Sequence, residues 1–263
     1  MNIYIDKSSW NISKYSNPFP FAEIDNFIKL DVYKEVKENF PCLMEFKKNG
    51  DINANNTGIR ITYKELNSDK KSFWHNFGSH FVNESFFYNY CEFFEEEIKL
   101  CYPKIYRKIK NKNLKIGVSG LDNLENFDIL LDFQLGINTP VLADNSVRGP
   151  HIDNQKEFYA GLCYLKDKDD HTDSGHFMIF KKKPFRILKK GKGRSFDKSN
   201  LKEVKIIKYK SNRLATFINT TKSIHGVSKR EVTKNIRKYF VFNSLLNEKL
   251  IETKLFDRIL NRY

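Results

Sequence analysis

Between residues 114 and 245 apolar positions recur every second residue in short runs, parted by clusters of Gly, Asp, Asn and Pro. A period of two is that of a strand with one face buried, and such clusters supply turns. The candidate strands are 114–118, 127–136, 158–166, 176–182, 203–209, 213–219 and 237–245. Several short strands in succession predict an antiparallel sandwich or barrel.

The first part of the chain follows other rules. Residues 1–18 read as an irregular arm, and 19–28 as a strand with Pro20 near its start, where a missing donor is tolerated. Val32, Val36 and Phe40 lie four apart and Pro41 follows, which predicts a short amphipathic helix. Residues 44–72 are polar and broken by Gly and Asn, a loop with a brief strand at 59–63. Over 83–102, Phe86, Tyr90, Phe94, Ile98 and Cys101 form a stripe, a helix capped near Asn83 and ended or kinked at Pro103. A last stripe, Leu250, Ile251, Leu255, Ile259 and Leu260, predicts a closing helix. The expected class is α+β in one domain: helical support and edge strands over 1–120, the strand-rich core over 121–246, and the closing helix over 247–263.

The chemistry concentrates at Arg148-Gly149-Pro150-His151-Ile152-Asp153-Asn154. Side chains two apart on an extended segment share a face, so His151 and Asp153 can converge on one ion. A third ligand must come from elsewhere, and His225 follows the apolar run 214–218. Two imidazoles and one carboxylate form the facial triad of non-haem Fe(II) oxygenases, which leaves coordination positions open. His171-Thr172-Asp173 repeats the spacing, but inside a polar, turn-rich run that points into water. His176 is closer to the core, with a role behind the ligands or at substrate as the alternative to a structural one. His75 and His80 are read as structural, and Arg148 and Asn154 as flanking residues within reach of substrate.

His-x-Asp, a later His-Gly-Val, and Arg237 opening the run Lys238-Tyr239-Phe240-Val241-Phe242 together resemble the 2-oxoglutarate/Fe(II)-dependent dioxygenases, particularly their prolyl-hydroxylase-like branch. The likeness covers roughly residues 127–245. It implies a double-stranded β-helix, a jelly-roll core, with His151, Asp153 and His225 as catalytic iron ligands. Arg237 would grip the distal carboxylate of 2-oxoglutarate through two charge-assisted hydrogen bonds, and would point inward with Tyr239 and Val241. Tyr164 would donate its hydroxyl to the same carboxylate, or serve as a plain core aromatic. The implied cofactors are Fe(II) and 2-oxoglutarate as co-substrate, with ascorbate as a candidate accessory reductant. In related halogenases the carboxylate position is vacated, so Asp153 implies hydroxylation of an unactivated carbon. Small molecules, sugars and peptidyl proline stay open as substrates. The alternatives are a nucleic-acid demethylase of the same superfamily and a non-catalytic anion-binding protein on the same fold.

Composition narrows the setting. The formal charge is +14, and nine Lys/Arg against one acid fall between 181 and 200. That segment is either a solvated loop or a clamp for phosphate or carboxylate on an anionic substrate; nucleic acid is the less favoured partner. It lacks the glycine spacing of a phosphate loop. Four cysteines without CxxC spacing read as reduced core thiols, and the absence of an apolar run near ~18 residues argues against a membrane span. A cytoplasmic protein is the resulting expectation.

Overall fold

A computed structural model describes residues 4–68, 72–143, 145–184 and 194–250. In chain order it contains β1 (Asn11–Tyr15), β2 (Phe21–Asp25), α1 (Leu30–Glu38), β3 (Gly58–Thr62), α2 (Tyr63–Leu66) and α3 (Phe73–Ser79). Then come α4 (Glu84–Phe93), α5 (Glu95–Cys101), α6 (Pro103–Lys110), β4 (Ile116–Val118), β5 (Ile129–Asn138), β6 (Glu157–Tyr164) and β7 (Phe177–Lys182). The chain continues through β8 (Leu201–Ile207), β9 (Arg213–Ile218), β10 (His225–Val227) and β11 (Arg237–Leu246).

Two sheets result. The larger runs β1-β2-β9-β6-β11-β5-β3, with β4 parallel to β5; the smaller runs β10-β7-β8. The smaller sheet gains a further edge at His151, which bridges to His225. With the His151 segment counted as an edge of the smaller sheet, the core segments alternate between sheets except at the β7–β8 hairpin, and β11 returns between β5 and β6. This is jelly-roll connectivity, the double-stranded β-helix that the resemblance implied. The class is α+β.

The alternation of β11 shows how one strand serves two cores. Phe240 and Phe242 face the helices, packing with Phe77, Phe81, Phe133 and Tyr90. Tyr239 and Val241 face inward with Tyr164, Ala215, Phe217 and Ile179. Burying one such aromatic ring contributes about 1.5–3 kcal/mol, so the helical layer fixes the large sheet from behind. The inner face can then hold polar groups.

Several expectations need correction. Residues 11–15 of the supposed arm form β1, an edge strand paired to β2 in full register. The helix over 83–102 is two, broken at Phe94, whose φ and ψ of -108° and 26° leave the helical region. Pro103 does not only end a helix: it stands at the first position of α6, where its missing N–H costs nothing. Cys91 and Cys163 are buried thiols, but Cys42 and Cys101 are exposed rather than in the core. Residues 247–250 are irregular, and the rest of the expected closing helix lies outside the described residues, as does most of the basic insert. Among the described residues, no helix is long and apolar enough to cross a membrane.

Candidate metal centre

The segment around 151 and strand β10 form a reciprocal antiparallel pair. His151 N donates to His225 O at 2.8 Å, and His225 N donates to His151 O at 3.0 Å. Residues exchanging both bonds sit directly opposite with side chains on one face. The two imidazole centroids are 4.3 Å apart. Gly226 permits this approach, since a Cβ there would lie 3.0 Å from the backbone of Gly149. Asp153, two residues on, shares the face; its Oδ1 is 3.4 Å from His151 Nε2 and its Oδ2 is 3.4 Å from His225 Nε2.

The tautomers follow from the outer hydrogen bonds. His151 Nδ1 donates to Gly149 O at 2.8 Å, and His225 Nδ1 donates to Ser223 O at 2.9 Å. Each Nε2 of the neutral ring therefore turns a lone pair toward the shared gap. Burial pushes His225 down to about 4, with Phe177 and Phe217 packed on its ring, so the imidazole is neutral at physiological pH. Burial works to raise the Asp153 carboxyl, but the positive charge His225 and His151 carry in acid, together with Arg148, outweighs it and holds it well below the usual carboxylate range. Two lone pairs and a carboxylate, with no donor among them, thus face one another within 4.8 Å. Such a gap is electrostatically incomplete without a cation, and this donor set suits Fe(II). His151, Asp153 and His225 are therefore able to hold a metal ion.

A cavity of about 320 Å³ opens from these three residues, reaching Arg237, Tyr239 and Val241 at one side. Arg237 starts β11 opposite Asn138 of β5 and is 2% exposed. Its Nη1 donates to Asn138 Oδ1 at 3.0 Å, while Nε and Nη2 have no partner among the described residues. The guanidinium lies over Tyr164, Tyr209 and Tyr239, with centroid distances of 4.8, 5.2 and 5.3 Å. A buried, under-bonded guanidinium costs stability, and the geometry suits one carboxylate taking two hydrogen bonds. Tyr164 sits beneath it, wholly buried, with its hydroxyl unpartnered and pushed up to about 12 by burial, which Arg237 partly offsets. Tyr239, not Tyr164, lines the cavity.

The remaining candidates separate cleanly. His171 is exposed in the connection between β6 and β7, apart from the triad. His176 is buried, but its Nδ1 accepts from Tyr209 N at 3.1 Å and its Nε2 lies 3.3 Å from Asp173, so it braces that connection. His75 bonds Asn67 through Nε2 and stacks on Tyr63, and His80 packs against Tyr4 and Phe86, as structural residues should. Arg148 lines the cavity; Asn154 is exposed and caps a turn at Lys156 N. Two lining residues were missed: Arg60 and Glu157. Burial, then the charge of Asp153, pushes Glu157 up to about 8. The only signal for Arg60 was a charged residue between Ile59 and Ile61, two core positions of a strand.

No protein-family model matches the chain, and no curated protein is matched by it. Among solved structures it is similar to a prolyl 4-hydroxylase of Phytophthora capsici, at 14% identity and a TM-score of 0.45, over 86% of this chain and 58% of that one. It is also similar to a Pseudomonas putida prolyl-4-hydroxylase, at 8% identity and a TM-score of 0.41, over 92% and 95%. A viral collagen prolyl hydroxylase from Paramecium Bursaria Chlorella virus-1 gives 13% and 0.42, over 86% and 95%. What the chain resembles is the prolyl-hydroxylase-like oxygenases. The likeness is of low identity, and the chain spans little more than half of the Phytophthora protein. Activity and substrate are argued from the site's own atoms.

Proposed function

We propose that this protein is an Fe(II)- and 2-oxoglutarate-dependent dioxygenase that hydroxylates an unactivated carbon, with residues 121–246 as the catalytic core and 1–120 as its support. One observation carries the reading: a donor-free His151, Asp153, His225 cluster and the under-bonded guanidinium of Arg237 share one cavity. Each group lacks its own counter-charge, a cation for the cluster and a carboxylate for the guanidinium.

His151, Asp153 and His225 would hold the iron, and Arg237 the distal carboxylate of the keto acid. Iron and keto acid, when bound, supply the power to oxidise a C–H bond: one atom of O₂ enters the substrate as hydroxyl, the other enters succinate, and carbon dioxide leaves. The protein's part is orientation and exclusion of water. Asn138 holds Nη1 of Arg237, which fixes the plane of the guanidinium in the cavity wall. Gly149 and Ser223 lock both imidazoles in the ligating tautomer. Phe177, Phe217 and Val241 give the cavity apolar walls that keep solvent from the reacting centre.

Oxygen uptake with added Fe(II) and 2-oxoglutarate tests the reading. Succinate should form in proportion to oxygen consumed, and Asp153→Ala should abolish both. Absence of succinate from the metal-loaded wild type would favour a binding protein on the same fold.

A further inference from the structure

Besides Arg237, three more arginines line the cavity among the described residues. Arg60 of β3, Arg148 before the first histidine, and Arg194 all line it, with Glu157 the one acid there besides Asp153. Arg60 donates Nη1 to the neutral amide of Gln134 at 2.9 Å, which leaves its charge uncompensated by that contact. Arg148 stands 3.7 Å from Asp153 Oδ1, an ionic contact too long for a hydrogen bond.

We propose that the substrate is a small molecule bearing an anionic group, a carboxylate or a phosphate, which Arg60, Arg148 and Arg194 hold at the mouth of the cavity while the carbon to be oxidised lies toward His151, Asp153 and His225. This rests on the oxygenase reading above. Arg237 and the other three arginines of the cavity have distinct tasks. Arg237 is buried among tyrosines and suits the co-substrate that binds first, whereas the three rim arginines suit a ligand arriving from solvent. Planar guanidinium forks grip carboxylate and phosphate alike, so the arginines define charge and leave the choice between the two to experiment. At about 320 Å³ the cavity is at the small end of ligand sites, which favours a small molecule over a polymer.

The test is calorimetric titration of inorganic phosphate, and separately of acetate, into protein saturated with Fe(II) and 2-oxoglutarate under nitrogen, at fixed ionic strength. At least one anion should bind saturably with one site, and the one that binds more tightly identifies the group. Arg60→Gln, Arg148→Gln and Arg194→Gln should each weaken it about tenfold, the loss of one charge-assisted hydrogen bond. The matching Lys variants, which keep the charge, should retain part of the affinity, and circular dichroism checks that each variant is folded. Saturable binding of neither anion, or unchanged affinity in all three folded Gln variants, would overturn the proposal. So would a single-stranded DNA probe that displaces phosphate with steep salt dependence, the mark of a polyanion surface. The visible charge-transfer band of the same samples reads metal and keto acid independently. Its absence counts against the oxygenase, whereas its presence without anion binding counts against this proposal alone.

Discussion

Replacing Arg237 with Leu should move ligand affinity and protein stability by very different amounts. The guanidinium is 2% exposed, with one nitrogen on Asn138 and two without partners. A hydrogen bond to a charged partner contributes about 1.5–3 kcal/mol, so two such bonds to a keto-acid carboxylate total about 3–6 kcal/mol, or two to four powers of ten in affinity. In the free protein the same group is a liability, because each buried unsatisfied donor costs about 1–3 kcal/mol. The Asn138 bond and the contacts with Tyr164, Tyr209 and Tyr239 return a similar amount. Arg237→Leu should therefore change unfolding free energy by no more than about 1 kcal/mol, far below the usual cost of altering a packed core residue. Urea denaturation measures the second quantity, and anaerobic titration of 2-oxoglutarate into iron-loaded protein measures the first. A variant that binds the keto acid within threefold of wild type, or that loses more than about 3 kcal/mol of stability, would refute the reasoning.

Other perturbations probe the frame. Gly136→Ala would place a Cβ 2.2 Å from the ring of Tyr239, and overpacking of this kind costs about 1–3 kcal/mol; urea denaturation should show it, with weaker keto-acid binding as Tyr239 is displaced. Tyr90→Phe removes the 2.7 Å hydrogen bond to Thr216, which keeps its bond to Ala160 O, so a loss of about 1 kcal/mol is expected in the same assay. Burial pushes both His225 and His80 down to about 4. The unfolded chain, whose histidines titrate near 6.5, then binds more protons between pH 6.5 and 4. The two histidines lower the stability of the metal-free protein as pH falls across that window, by up to about 1.4 kcal/mol per unit for His225 and less for the half-buried His80, while Glu157, pushed up to about 8, and Asp132, pushed up to about 6, both by burial first, act in the opposite sense. Thermal melts in chelator from pH 7 to 4.5 check the histidine share by difference: His80→Gln should lose less stability on acidification than the wild type, and identical profiles for the two would contradict the assignment.

The core strands were legible as short apolar runs between turn-forming clusters, and the jelly roll only through the resemblance, because most of these strands are buried on both faces. In β11, Tyr239 and Val241 alternate with Phe240 and Phe242, and both sets are buried against different partners. The three convergent residues were legible for a local reason, two residues on one strand face and a third beside a Gly that permits close pairing. What escaped depends on contacts distant in sequence. β1 looks irregular because Asn11–Tyr15 is an edge strand with little buried surface. α3 is Phe73–Ser79, rich in aromatics with Gly78 inside, a composition of weak helix propensity held by packing on Phe133. Arg60 reaches the cavity only through the register of β3 on β5, where it stands opposite Gly136, itself under Tyr239. Glu157 opens an apolar run and looked like a strand boundary; its neighbourhood with Asp153 exists only in the fold.

The central claim is that His151, Asp153 and His225 hold ferrous ion beside a keto acid gripped by Arg237. Anaerobic titration of Fe(II) and 2-oxoglutarate into the purified protein, followed in the visible range, tests it most directly. The wild type and His171→Ala should develop the metal-to-ligand charge-transfer band at equal occupancy, and His151→Ala and His225→Ala should show none. A band that survives loss of either buried imidazole, or that disappears with His171, would contradict the account.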